Sequence, residues 1–135
     1  MCREHAVSVR DAFPEIQTAG GEVVLVTMDE PAALHAFKEQ LHLPFVCLSD
    51  MRQEGYRAFQ CPRGGLLAVI GPKVWWRAIK SLFKHGAGGL RGDAMQLPGS
   101  FVIDRTGVIR FAHRSRHSAD WAPMDELIRS VTASR

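Results

Sequence analysis

The chemistry open to this chain rests on cysteines at positions 2, 47 and 61 and on an arginine, Arg114, set between histidines. A cysteine attacks as its thiolate, so each is judged by what would favour losing the proton. Cys2 stands at the first turn of a helix expected from residue 3, where the helix dipole and free backbone N–H groups stabilise a thiolate. Arg3 and the chain's amino terminus add positive charge there. The alternative is a frayed terminal cysteine of ordinary reactivity. Cys47 lies in the apolar string Pro44-Phe45-Val46-Cys47-Leu48, where a free cysteine behaves as a small buried hydrophobe. Cys61 precedes Pro62-Arg63-Gly64 in a loop, exposed enough to pair with Cys2 or another chain, but that string is not C-x-x-C. An incidental loop cysteine is the preferred reading. Arg114 belongs to the run His113-Arg114-Ser115-Arg116-His117. Its guanidinium would stabilise a thiolate placed near it, and otherwise it ends a solvated strand. His113 and His117 lack a cysteine or carboxylate at ligand spacing, so no metal is expected.

The elements that must hold these residues follow from periodicity. Ala6, Val9, Phe13 and Ile16 recur at helical spacing, which predicts a helix over 3–18 with a kink or early end at Pro14. Gly20-Gly21 supply its stop. Residues 22–28 (EVVLVTM) form a continuous apolar run, the pattern of a parallel strand covered on both faces. Pro31 opens a second helix with Leu34, Phe37 and Leu41 on its buried stripe, and 44–48 is a second strand. Ser49-Asp50 cap a short helix over about 51–59. An insertion over about 64–92 carries an amphipathic helix, 72–84, opened by Pro72. Lys73, Arg77, Lys80 and Lys84 share one face of it, opposite Val74, Trp75, Ile79, Leu82 and Phe83. It either rests on a membrane surface or partner groove, or packs on its own core; the second is preferred. Strands 100–104 and 108–113 make a hairpin around Asp104-Arg105-Thr106-Gly107, and a last helix over about 123–131 buries Met124, Leu127, Ile128 and Val131. The order is that of an α/β chain with a thioredoxin-like fold lacking its first, central strand, within one domain spanning 1–135.

Several strings sharpen this. Cys2-Arg3-Glu4-His5 resembles the close of the C-P-x-C-R-E-H segment of peroxiredoxin-like proteins of the AhpC/TSA group. Gly21-Glu22-Val23-Val24, Leu43-Pro44-Phe45 and Leu48-Ser49-Asp50 are similar to that group's G-E-V-V and L-P-F-x-x-L-S-D. Phe101-Val102-Ile103-Asp104 with Gly107, then His113-Arg114-Ser115, resemble its F-V-I-D-x-x-G and H-R-S. The nearest branch is the peroxiredoxin-like 2 type, which includes prostamide/prostaglandin F synthase-like enzymes. The resemblance implies peroxide or disulfide substrates, an external thiol reductant such as thioredoxin, and no metal or organic cofactor. It makes Cys2 the second, resolving cysteine of the C-P-x-C, and Arg114 a stabiliser of thiolate or peroxide oxygen. It places Pro98, three residues before Phe101, where a cis-proline faces the active-site cysteine. It also puts the attacking cysteine and the central strand ahead of Met1. Each buried backbone group left without a partner costs about 1–3 kcal/mol, against a total stability of roughly 5–15 kcal/mol. The expectation is that the natural protein starts upstream, rather than that the neighbouring strands close up or another chain supplies the strand.

With 46% hydrophobic and 23% charged residues, the composition is that of a globular protein. A net charge of +3 without a basic patch or stacking aromatics argues against nucleic acid. No run of 18 apolar residues predicts a membrane span, and the start does not read as a secretory signal. An odd number of cysteines suits a reducing compartment, read as the cytoplasm. The reading from another class is a non-catalytic thioredoxin-fold module that binds a partner, including a second copy, through exposed sheet edges and the amphipathic 72–84 helix.

Overall fold

A computed structural model describes residues 3–64, 96–117 and 119–135. Cys2 and the 72–84 segment lie outside the described residues. Helix α1, Arg3–Thr18, buries Ala6, Phe13 and Ile16 and runs through Pro14 without ending there. The proline removes one backbone donor, at a cost of about 3 kcal/mol. Burial of Phe13 and Ile16 on either side is worth about 1.5–3 kcal/mol each and outweighs it. The helix stops as the glycines predict. Gly20 takes φ +88°, its N–H bonds the Gln17 carbonyl, and the Gly21 N–H bonds the Ile16 carbonyl, both at 2.9 Å. That pair of bonds is a Schellman ending.

Strand β1, Val24–Thr27, pairs in parallel with β2, Val46–Ser49, Leu25 opposite Cys47. Helix α2, Pro31–Leu41, connects them and closes on His42 in the left-handed region. Arg3 Nη1 donates to Gln40 Oε1 at 3.0 Å and Arg10 Nη1 to the Leu41 carbonyl at 3.0 Å, so α1 is tied to the C-terminal end of α2. Phe13, Leu41, Leu43 and Phe45 form the core beneath them, with Leu25 and Cys47 packed against it. The expectation of a strand covered on both faces is corrected. Val24 and Val46 are 54% exposed and Leu48 50%, so the face opposite the core is open to solvent.

Asp50 holds the short α3, Glu54–Ala58, from upstream: its carboxylate accepts from the N–H groups of Glu54 (2.9 Å) and Gly55 (2.8 Å). The hairpin forms where expected, β3 Gly99–Ile103 antiparallel to β4 Ile109–Arg114, with a bulge between Val102 and Ile103. Asp104 builds its turn. One carboxylate oxygen accepts from the Thr106 N–H (2.8 Å), the Thr106 hydroxyl (2.5 Å) and the Val108 N–H (3.0 Å), and the other from Arg110 Nε (2.6 Å). Helix α4, Met124–Ala133, packs on β3, β4 and α1. Its stripe of Met124, Leu127, Ile128 and Val131 is half-buried rather than buried, a second correction: this layer is covered from one side only. Among the described residues the strands form two two-stranded sheets, β1–β2 and β3–β4. The helix and strand order is that of a thioredoxin-like α/β fold.

The bonds to Asp104, led by the Thr106 hydroxyl and the Val108 N–H, hold its carboxyl well below the usual carboxylate range. A depressed folded-state pKa gives stability that is present above the unfolded value near 3.8 and is lost as pH falls toward the folded one. Thermal unfolding followed from pH 5 down to pH 2 therefore shows a shallower acid decline in Asp104→Asn than in the unsubstituted chain. Parallel declines would mean the turn carboxylate is not a source of the acid sensitivity.

Candidate functional site

One end of the β3–β4 hairpin gathers the reactive groups. Gly99 opposes Arg114 in the ladder. The strand direction of β3 extends backwards through Pro98 and Leu97, because the Leu97 N–H donates to the Pro62 carbonyl (3.0 Å) and the Ser115 N–H to the Pro98 carbonyl (3.0 Å). An antiparallel bridge of Arg63 with Gln96 and the Gln96 amide, donating to the carbonyls of Cys61 (3.3 Å) and Pro62 (3.2 Å), fix residues 61–63 alongside. The expectation of a cis peptide at Pro98 is corrected: no cis peptide bond occurs among the described residues. Leu97 and Pro98 bond to the segments on both sides with a trans bond between them.

This docking brings the Cys61 thiol to the hairpin. A Cβ placed on Gly99 would lie 3.1 Å from Cys61 Sγ and 2.7 Å from Phe101 Cε2, so a glycine is needed where the two segments meet. Arg114 Nε donates to the Phe59 carbonyl at 2.9 Å, and its guanidinium stands 5.3 Å over the Phe101 ring. Phe59 and Phe101 are 4.8 Å apart. Burial pushes the Cys61 thiol up, and the Arg114 charge offsets part of that rise. Cys61 is therefore a protonated thiol at neutral pH with a cation at hand. Cys47 is likewise pushed up by burial and rests half-buried against the core.

Tyr56 in α3 reaches the same region. Burial pushes its phenol up to about 12, with Cys61, Asp50 and Asp29 adding to the rise. Its hydroxyl donates to the Val26 carbonyl at 3.2 Å. The Thr27 carbonyl accepts from the Asp50 N–H on the β2 side, and carbonyls alternate along a strand. Tyr56 thus satisfies a carbonyl on the edge of β1 turned away from β2.

On the other face of β4, His113 Nε2 lies 3.3 Å from Asp120 Oδ1. Ser115, 1% exposed, donates its hydroxyl to the Asp120 carbonyl at 2.5 Å. The Arg116 N–H (2.9 Å) and Nε (3.0 Å) donate to Asp120 Oδ2. Those bonds, the Arg116 backbone first, bring the Asp120 carboxyl down to about 2. Next along the chain, the Trp121 indole stacks on His5 of α1 with centroids 4.1 Å apart.

Of the residues singled out by sequence, Arg114 and Pro98 stand on neighbouring segments, while Cys2 is outside the described residues. Cys61, read as an incidental loop cysteine, is the thiol that the structure places by Arg114. Sequence reasoning also missed Asp120 and Tyr56. Nothing in local spacing marks them, because their partners depend on the docking of distant segments. With Arg114→Ala, the Cys61 thiol rises further, and iodoacetamide alkylation of Cys61 at pH 8 slows by roughly threefold. Site-resolved mass spectrometry with Cys47 as internal reference reads this, and an unchanged ratio would show that Arg114 does not act on the thiol.

The AhpC/TSA antioxidant enzyme family matches this chain over residues 8–117. A chloroplastic peroxiredoxin Q of Suaeda salsa is 28% identical over 85% of the chain and 42% of its own length. That of Arabidopsis thaliana is 25% identical over 98% of the chain and 49% of its length. One from Populus jackii is 39% identical over a shorter stretch, 36% of the chain and 23% of that protein. The chain thus spans half or less of the length of these curated relatives.

Proposed function

This chain belongs to the AhpC/TSA antioxidant enzyme family, and on that premise we propose that it serves a thiol-dependent peroxide or disulfide reductase of peroxiredoxin-like type. The finer assignment within this proposal is the peroxiredoxin-like 2 branch, acting in the cytoplasm as a single domain. In the proposed cycle a thiolate attacks the distal peroxide oxygen, the O–O bond breaks, and alcohol or water leaves as the thiolate becomes a sulfenic acid. The Cys2 thiol then attacks the sulfenic sulfur, expelling water and forming a disulfide. An external dithiol, such as thioredoxin, reduces that disulfide by exchange and is itself oxidised.

The attacking cysteine is the first of the family's C-P-x-C, which the 135-residue sequence does not include. The observation that carries the reading is that Cys2 directly precedes Arg3, the first described residue of the sixteen-residue helix α1. A helix end stabilises a thiolate placed on its first turn, and that is the role this reading gives Cys2. Arg114, on the hairpin, is proposed to stabilise thiolate or peroxide oxygen, and Pro98, in its trans form, to shape the wall beside it.

The test is peptide mapping of the protein isolated from its own cells, before and after one equivalent of hydrogen peroxide. A disulfide that joins Cys2 to a cysteine of an upstream C-P pair supports the proposal. Absence of any peroxide-dependent bond at Cys2 defeats it. The second reading, a binding module, draws support from the exposed Val24, Val46 and Leu48 on the open sheet face, and it predicts association without oxidation.

A further inference from the structure

Strand β1 pairs on one side only. Its Thr27 carbonyl turns to β2, so Val24 and Val26 present their N–H and C=O groups on the opposite edge. No strand among the described residues pairs with that edge. The string Val24-Leu25-Val26-Thr27 carries no charge and no proline, the residues that usually blunt an edge. Val24 is 54% and Val26 38% exposed. Such an edge is self-complementary. Turned about a two-fold axis, the Val24 N–H of one copy meets the Val26 carbonyl of another, an isologous contact.

One side chain stands in the way. Tyr56 donates its hydroxyl to that Val26 carbonyl at 3.2 Å. Its backbone is held too: the Tyr56 N–H donates to Asp50 Oδ2 (3.3 Å), and its carbonyl accepts from the Cys61 N–H (2.9 Å). Asp50 gives its own N–H to the Thr27 carbonyl at 2.7 Å. One residue thus grips β1 on its paired edge and holds the helix that reaches the unpaired one. Farther along, the Phe59 carbonyl accepts from Arg114 Nε (2.9 Å) and the Pro62 carbonyl from the Leu97 N–H (3.0 Å). Residues 50–62 therefore form a strap, fastened to β1–β2 at one end and to the hairpin at the other. Helix α3 within it buries none of its five residues, so it adds little to the core. Burial pushes the Tyr56 phenol up to about 12, which keeps it a donor across the neutral range.

We infer that Tyr56 is a latch on the unpaired edge of β1: while its hydroxyl holds the Val26 carbonyl, that edge is closed to a second copy of this chain. Releasing the hydroxyl opens the edge to antiparallel pairing. The latch involves no cysteine and stands whether or not the peroxide chemistry does.

The test is light scattering of the full chain over a concentration series. Tyr56→Phe, which removes only the hydroxyl, tightens self-association at least fivefold. Adding Val24→Lys, a charge on the exposed edge, returns it to the unsubstituted value. Hydrogen exchange slows at the Val24 and Val26 amides as the Tyr56→Phe protein pairs. A Tyr56→Phe protein that associates no more than the unsubstituted chain overturns the latch. So does pairing that ignores Val24→Lys or leaves both amides exchanging as before, and so does an unsubstituted chain already paired through this edge. A second measurement keeps the side chain in place. Tyr56 is the one tyrosine of the chain, so 3,5-difluorotyrosine supplied during expression labels this position alone and makes its phenol more acidic. That protein matches the unsubstituted chain while the phenol is protonated and associates as it ionises. Ionisation without association overturns the latch.

Discussion

Gly21→Ala destabilises this protein by about 2 kcal/mol, a larger effect than a single methyl group on an exposed turn would suggest. The added Cβ would lie 2.7 Å from Val131 Cγ1 and 2.9 Å from Ile16 Cγ2, with the Ile16 carbonyl oxygen at 3.3 Å. None of these neighbours can withdraw freely. Ile16 is buried in α1, and its carbonyl already accepts the Gly21 N–H that closes the helix. Val131 belongs to α4, so relieving the contact means moving one helix off the other. Overpacking of this kind costs about 1–3 kcal/mol, which for a chain of this length lowers the melting temperature by roughly 8 °C. The double substitution Gly21→Ala/Val131→Ala removes the nearest clash and recovers about 1 kcal/mol relative to the sum of the single changes. Denaturant unfolding of the four proteins measures this coupling. Strict additivity would show that α1 and α4 do not meet at Gly21.

What the sequence disclosed and what it withheld divide along the range of the interactions. Helix α1, the β1–α2–β2 unit and the hairpin rest on periodicity and on residues a few positions apart, such as Gly20 with Gln17 or Asp104 with Thr106 and Val108. These were legible, with strand ends misplaced by one or two residues. Pro14 misled because a local penalty was weighed without the burial of Phe13 and Ile16 that overrides it. The stripe of α4 was legible, but its depth was not, since periodicity says which face turns inward and nothing about what lies across from it. The same holds for β1, whose apolar run covers both a packed face and an open one.

The site divides in the same way. Arg114 was readable from the string it sits in, yet its contacts with the Phe59 carbonyl and the Phe101 ring were not. They exist because residues 61–63 dock beside 96–97, more than thirty positions apart, and that register has no local signature. Cys61 was set aside for lack of a second cysteine nearby in sequence; its neighbours in space are an arginine and a tyrosine. Pro98 takes its expected cis geometry from analogy alone, and the described chain has a trans bond there. Chemistry read from residue types survived where the type itself does the work and failed where a partner had to be named.

Cys2→Ser separates the two steps of the proposed cycle. In a form of the protein that carries the family's C-P pair ahead of Met1, the substitution leaves the attacking cysteine in place and removes the thiol that resolves it. Peroxide is still reduced once, because the O–O bond breaks at the first cysteine, and a sulfenic acid persists that dimedone traps. No disulfide then forms, and steady-state turnover with thioredoxin as reductant falls roughly 100-fold, since the exchange partner no longer exists. The burst and the steady state must therefore part: a first turnover within a factor of about two of the unsubstituted protein, followed by arrest. Quenched-flow peroxide consumption, run beside intact-mass detection of the dimedone adduct, resolves both. Equal steady-state rates in the two proteins would remove Cys2 from the cycle and turn attention to Cys61 as the second thiol, since Arg114 already stands beside it. Absence of a sulfenic acid in Cys2→Ser, together with absence of a peroxide-dependent disulfide in the unsubstituted protein, would leave the peroxide chemistry without support and favour the binding module. The substitution is discriminating because serine is close to cysteine in size and polarity but has no sulfur with which to form a disulfide. A loss seen there reports the sulfur and not the helix.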